Sequence, residues 1–238
     1  RGLRVTAATH TLLNAVFVSA TVEEAQSLAA IPGVRRVVEL RRLKRHDLKA
    51  ADLVNAAQGW TVVGGEESAG AGVRIGIIDS GIDHTHPAFN DPGLRPPAGF
   101  PKCRPEDCAY TNNKVIVARS YVEISAVPHD PNLSRPDDYS PRDRVGHGTA
   151  AATVAAGRRT RGRSADVIGV APKAFLGNYK IYGSPGVNDF PFGDVLAVAL
   201  EDAFNDGMDV VSMSFGAAAD YPHDARLCGS DDRQPCDP

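Results

Sequence analysis

An α/β fold, with a predominantly parallel sheet and helices on both faces, is the class this sequence predicts, preceded by a partial α+β module. Three observations carry the prediction. Val73-Arg-Ile-Gly-Ile-Ile78 is a nearly continuous β-branched run, the pattern of a strand covered on both faces in a parallel sheet. From there to Gly216, strand-like runs alternate with helix-length segments. Near the start of the chain the pattern is different, with a strand whose apolar and polar residues alternate.

The elements follow in order. Asn14-Ala-Val-Phe-Val-Ser-Ala20 alternates as a half-buried strand, Thr21 is placed to cap a helix over Val22 to Ala30, and Pro32-Gly33 stops that helix before a second expected strand, Val34 to Leu40. Residues 1–43 therefore read as one small module. Residues 44–72 read as a linker and the start of a new unit, with Gly64-Gly65 and Gly70-Ala-Gly72 breaking any long element and a short helix expected around Leu48 to Ala57. Residues 73–238 form the α/β unit. Its strands are expected at Val73 to Ile78, Lys114 to Ala118, Ala174 to Tyr182 and Met208 to Ser214, with a helix over Asp194 to Asp206. Another helix begins at His147, where Gly148-Thr-Ala-Ala-Ala-Thr-Val-Ala-Ala-Gly157 offers only small side chains and is expected to pack closely on every side. Polar, Pro-rich excursions separate these elements at residues 87–113 and 125–143.

Composition narrows the function classes. Among 238 residues, 42% are hydrophobic and 23% charged, which suits a globular chain able to bury a core. A net charge of −3 favours neither nucleic acid nor an anionic membrane as partner. The basic cluster Arg35, Arg36, Arg41, Arg42, Lys44, Arg45 and Lys49 is local and reads either as a solvated linker or as a dibasic processing region. No apolar run approaches the roughly 18 residues that suggest a membrane span. The chain opens at Arg1 without an initiator methionine or a signal-like apolar region, so both ends are expected to be truncations. Four cysteines fall in two local pairs, Cys103 with Cys108 and Cys228 with Cys236, each within a polar segment. Disulfides are the preferred reading, since tight loop staples suit an oxidising compartment, and unpaired thiols the alternative.

Two residues stand out as chemistry. Asp79 ends a buried strand, where open α/β sheets place their ligands; alone, it could equally cap the turn Asp79-Ser-Gly. His147 lies between Gly146 and Gly148 at the start of an apolar helix, and glycines on both sides leave backbone room around an imidazole.

The set Asp79-Ser-Gly-Ile-Asp83 with His86-Pro87, Gly146-His-Gly-Thr149, Gly169-Val-Ala-Pro172 and Met208-Asp-Val-Val-Ser-Met-Ser-Phe-Gly216 resembles, in content and order, the subtilisin-like serine peptidases. Asn112-Asn-Lys-Val-Ile-Val-Ala-Arg119 also resembles a segment of larger members. The resemblance implies that His147 takes the proton of a nucleophilic serine and returns it to the leaving amine, while Asp79 holds the ring's tautomer. It further implies that Ser214, Phe215 and Gly216 pair with an extended peptide substrate, although an ordinary strand end would look the same. The family's Gly-Thr-Ser-Met-Ala segment does not occur in this sequence, so the nucleophile is expected downstream. Ser214 and Ser230 are the available serines near the end, and neither sits in a recognisable nucleophile turn.

Two residues depart from the family's pattern, and the second bears on metal binding. Ala150 stands where many relatives place a second histidine, and Ala88 where a calcium-ligating aspartate is frequent. Calcium is therefore possible but unassigned, and no cofactor is expected. Residues from Asn14 to Glu39 look like the second half of the family's inhibitory propeptide, which implies an intramolecular inhibitor and secretion to the extracellular space. The competing classes are a noncatalytic peptide- or partner-binding protein on the same scaffold, and a metal-dependent hydrolase using Asp83, His84 and His86. The latter cluster lacks helical ligand spacing.

Overall fold

The computed structural model describes residues 3–40, 44–45, 55–126, 137–161 and 166–216. Its centre is a five-stranded sheet formed by β4 (Arg74–Asp79), β5 (Lys102–Cys103), β6 (Val115–Ser120), β9 (Phe175–Lys180) and β10 (Val210–Ser212), in the order β10-β4-β9-β6-β5. Every neighbouring pair is parallel. The alternation of side chains along each strand divides two cores between the faces. Ile75, Ile77 and Leu176 join Ala151, Ala152 and Ala156 of helix α4 (His147–Ala156) on one side. Ile78, Phe175 and Tyr179 join Val195, Ala199 and Ala203 of helix α5 (Gly193–Asn205) on the other. Ile77 and Ile78 are essentially removed from water, and each such side chain contributes about 1.5–3 kcal/mol of burial.

Helix α4 is not wrapped on every side. Gly148, Ala151, Ala152 and Ala156 are buried, but Ala150 is exposed, so the small residues serve one close-packed face rather than a fully enclosed helix. Its partner across the sheet is anchored by polar groups. Arg119 of β6 grips the buried Asp206 just past α5 with two hydrogen bonds, at 2.8 and 2.7 Å, and the Tyr179 hydroxyl donates to the same carboxylate at 3.0 Å.

The N-terminal module differs from expectation at two places. A strand absent from the sequence reading, β1 (Arg4–Thr9), pairs antiparallel with β2 (Ala15–Ser19). The following helix α1 (Val22–Leu28) has its Thr21 cap and a capping box with Glu24. Val34 to Leu40 is irregular rather than a strand. β1 and β2 pair with each other as a two-stranded sheet, so the valines of this segment meet no ladder among the described residues, and Val38 stays 52% exposed. The hairpin docks on α5: Thr6 donates to Asp194 at 2.9 Å, and the His10 and Thr11 amides donate to Glu201 at 2.8 and 3.0 Å.

In the segment read as a linker, α2 (Ala56–Val62) and a 3₁₀ turn at Glu66–Ser68 take shape, and Trp60 donates to the Val170 carbonyl at 2.7 Å. The earlier part of the helix expected from Leu48 lies outside the described residues. Cys103 and Cys108 are joined by a disulfide. Cys228, Cys236 and Ser230 lie outside the described residues.

The Asn112-Asn-Lys segment has a physical account. Asn112 accepts from the Lys114 and Val115 amides and donates to the His84 carbonyl, which sets the entry into β6. The fully buried Lys114 then reaches the Pro172 and Ala174 carbonyls at 2.7 and 2.8 Å. Burial, aided by Lys173 and Arg158 and opposed by Asp91, lowers its ammonium pKa from 10.5 to about 8. Below pH 8 both folded and unfolded chains carry the proton and the folded state bears the full burial cost, on the order of 3 kcal/mol. Between pH 8 and 10.5 the unfolded chain holds the proton that the native chain has released, so stability rises with pH. Wild type is therefore expected to gain unfolding temperature relative to Lys114→Met as pH is raised from 7 to 10. Parallel melting curves across that range would contradict the assignment.

Candidate active site

The site forms at the C-terminal edge of the sheet, where the loops after β4 and before α4 meet. Asp79 is the last residue of β4 and is 1% exposed. His147 is the first residue of α4, 68 positions later. The imidazole Nδ1 lies 2.8 Å from Asp79 Oδ1 and 2.9 Å from Oδ2, and with its proton on that nitrogen it donates to the carboxylate. Burial pushes the Asp79 carboxyl pKa above its ordinary value, while hydrogen bonds from His147 and the Ser80 amide oppose that rise. A carboxylate set at one end of an imidazole holds the ring in one tautomer and leaves Nε2 as the basic nitrogen.

The close approach of the two loops depends on glycine. A Cβ on Gly148 would lie 2.2 Å from the Gly81 carbonyl oxygen and 3.1 Å from Asp79 Cβ. Gly81 itself has φ +109°, a region that side chains disfavour, and a Cβ there would meet the Pro141 carbonyl oxygen at 2.7 Å. The Gly148 amide donates to Ser80 Oγ at 2.9 Å.

Residues that sequence reasoning passed over complete this frame. Ser80 Oγ donates to Asp143 at 3.0 Å, and Thr149 Oγ1 both donates to Asp143 at 2.6 Å and accepts from the Asp83 amide at 2.9 Å. The available signal was local. Asp143 precedes two residues whose amides its side chain can accept, the pattern of an Asx turn.

The remaining predicted residues fall in two groups. Ser214 lies between β10 and β11 (Phe215–Gly216), and β11 pairs antiparallel with β3 (Lys44–Arg45), with Phe215 opposite Arg45 and Gly216 opposite Lys44. The Phe215 ring packs edge-on against Tyr182, with centroids 5.6 Å apart. The metal-hydrolase alternative fares differently. Asp83 accepts from Thr85, His86 Nδ1 accepts from the Ala88 amide, and Ala88 is fully buried in the core. Among the described residues, no three His, Cys, Asp or Glu side chains converge on a metal position.

Comparison with known proteins places the chain among relatives. The model of the subtilase family matches residues 70–235. The chain is 33% identical over 221 residues to Subtilisin-like protease SBT2.3 of Arabidopsis thaliana, covering 86% of this chain and 26% of that protein. Subtilisin-like protease SBT2.1 of the same plant is 34% identical over 227 residues, with the same coverage of 86% and 26%. The chain thus spans about a quarter of the length of the curated relatives it matches. Among solved structures, fervidolysin from Fervidobacterium pennivorans, described as a keratinolytic enzyme related to subtilisin, aligns with a TM-score of 0.39 and 19% identity, over 71% of this chain and 22% of that one.

Proposed function

This chain belongs to the subtilase family, and from that premise we propose that it supplies the Asp and His of a serine endopeptidase that cleaves peptide bonds through an acyl-enzyme. The observation that carries the reading is the contact of Asp79 with His147 Nδ1 at 2.8 Å, at the mouth of a parallel sheet. In this mechanism His147 accepts the proton of a serine supplied by residues outside these 238. The serine oxygen then attacks the substrate carbonyl, and His147 returns the proton to the departing amine. Asp79 keeps Nδ1 protonated and stabilises the imidazolium that forms. Ser214, Phe215 and Gly216 present backbone groups to an extended polypeptide substrate, which adds to them as a strand.

The N-terminal module acts, in this reading, as the enzyme's own intramolecular inhibitor. Two contacts support it: the β1-β2 hairpin seats on α5, and Lys44 and Arg45, which directly follow the module, occupy the β11 edge that a substrate strand would use. Secretion is part of the same reading, and the disulfide Cys103–Cys108 supports it, since such bonds persist in oxidising compartments. The test uses the complete protein after removal of the N-terminal module. A fluorophosphonate should label one serine stoichiometrically, and a fluorogenic peptide should be turned over by the same preparation. Peptide binding without labelling or turnover would instead establish the noncatalytic reading.

A further inference from the structure

The segment 137–146, which delivers His147, forms no helix or strand, yet its backbone is held at many points. Two buried side chains on β9 reach it from the sheet. Lys180 donates to the Asp138 and Arg142 carbonyls at 3.3 and 2.7 Å, and Asn178 donates to the Pro141 carbonyl at 2.8 Å. Those contacts hold the outer part of the loop against the sheet. They do not reach the residues flanking the imidazole.

One carboxylate does. Asp143 Oδ1 accepts from the Val145 amide at 2.9 Å, the Gly146 amide at 2.8 Å and the Ser80 hydroxyl at 3.0 Å. Its Oδ2 accepts from the Thr149 amide at 2.9 Å and the Thr149 hydroxyl at 2.6 Å. Three of these five donors are amides within two residues of His147, on both sides of it. A fourth belongs to Ser80, the neighbour of Asp79, whose oxygen also accepts from the Gly148 amide. Thr149 completes a second bridge by accepting from the Asp83 amide. Charge-assisted bonds of this kind are roughly twice as strong as neutral ones, and five of them converge on one group.

We propose that Asp143 is a positioning residue for the reaction, its carboxylate joining the backbone on both sides of His147 to the Ser80 turn that follows Asp79, and so fixing the register between base and orienter. It touches neither Asp79 nor substrate. It acts through the placement of the imidazole, and the inference rests on the proposed roles of Asp79 and His147. The consequence is specific. Loosening this joint should lower turnover while leaving the β11 peptide-binding edge, and hence KM, largely as it was.

The experiment is steady-state kinetics on the complete, mature enzyme, normalised to active serine by titration, with a peptide long enough to pair along β11. Asp143→Ala should lower kcat about 100-fold and Asp143→Asn, which keeps one acceptor oxygen for the Val145 and Gly146 amides, about 10-fold, each with KM within about threefold of wild type. The rate of fluorophosphonate labelling should fall in the same order. Asp209→Asn is the structural control, since it breaks the Arg74–Asp209 pair at the opposite end of β4 and should lower melting temperature without lowering kcat. If the Asp143 variants do not accumulate folded, Ser80→Ala and Thr149→Val carry the test, each with kcat reduced about 3- to 10-fold. Folded Asp143 variants with wild-type kcat, or in their place folded Ser80→Ala and Thr149→Val variants with wild-type kcat, would overturn the inference. The two readings separate through His147→Ala: if that variant retains wild-type activity, the assignment of the base fails; if it is inactive while Asp143→Asn is unimpaired, only the positioning role fails.

Discussion

In the complete protein, His147→Ala should lower kcat by about a million-fold and halt self-removal of the N-terminal module. The size of the effect follows from what the proposed mechanism asks of the imidazole in both halves of the cycle. Without it the serine must attack as a neutral hydroxyl, and the amine must leave without a proton. Asp79→Asn should cost about 10,000-fold, because an amide opposite Nδ1 no longer favours the tautomer with the proton there. Its effect on stability has the opposite sign. Burial raises the Asp79 pKa, so between its ordinary value and the raised one the native carboxyl keeps a proton that the unfolded chain has lost. Stability therefore falls as pH rises through that window, and the penalty for an ionised, buried carboxylate persists at neutral pH. Asparagine carries no such penalty, so Asp79→Asn should melt no lower than wild type at neutral pH while being inactive. Turnover, measured as product per titrated serine in a host free of other proteases, distinguishes the outcomes. Normal maturation of His147→Ala would refute the role assigned to the base, and a large loss of melting temperature in Asp79→Asn would mean that the carboxylate serves the fold first.

How much of this was legible beforehand depended on the range of the interactions. β4 was readable because its apolar run needs cover on both faces, and the two cores supply it through Ile75 and Ile77 on one side and Ile78 on the other. The start of α4 at His147 was readable from the glycines around it. The segment from Val34 to Leu40 misled, since its valines suit a strand but do not supply the neighbour that a ladder requires, and none of the described residues pairs with it. β1 was missed for the converse reason. Arg-Val-Thr-Ala-Ala-Thr is weakly apolar, and its pairing with β2 makes it a strand. Asp143 was the least visible of all. Its residue type suits a turn, but its reach to Ser80 spans 63 positions and exists only once two loops have been brought together. Burial patterns are written into composition along the chain, whereas a carboxylate shared among distant amides is a product of the assembled loops.

The second large effect is expected from a single methyl group. Gly148→Ala places a carbon 2.2 Å from the Gly81 carbonyl oxygen, and that oxygen is backbone, with no rotamer to relieve the contact. The turn after Asp79 cannot give way easily in the other direction, because Gly81 already lies against the Pro141 carbonyl and the Asp143 amide. The loops must therefore part by on the order of 1 Å, a displacement that costs about 100-fold when it separates reacting groups. The same strain should lower stability by about 1–3 kcal/mol, the usual cost of overpacking. Separation would also stretch the bond from the Gly148 amide to Ser80 and the contact between Asp79 and His147, so the loss should appear in kcat ahead of KM. Ala150→Ser supplies the comparison: it sits two residues on along the same helix, but on the exposed face, and should change neither turnover nor melting temperature measurably. Kinetics per active site together with thermal melts of the two variants decide the matter. A folded Gly148→Ala enzyme with wild-type kcat would show that the close approach of the Gly81 and Gly148 backbones is incidental to catalysis, and that Asp79 and His147 tolerate being moved apart.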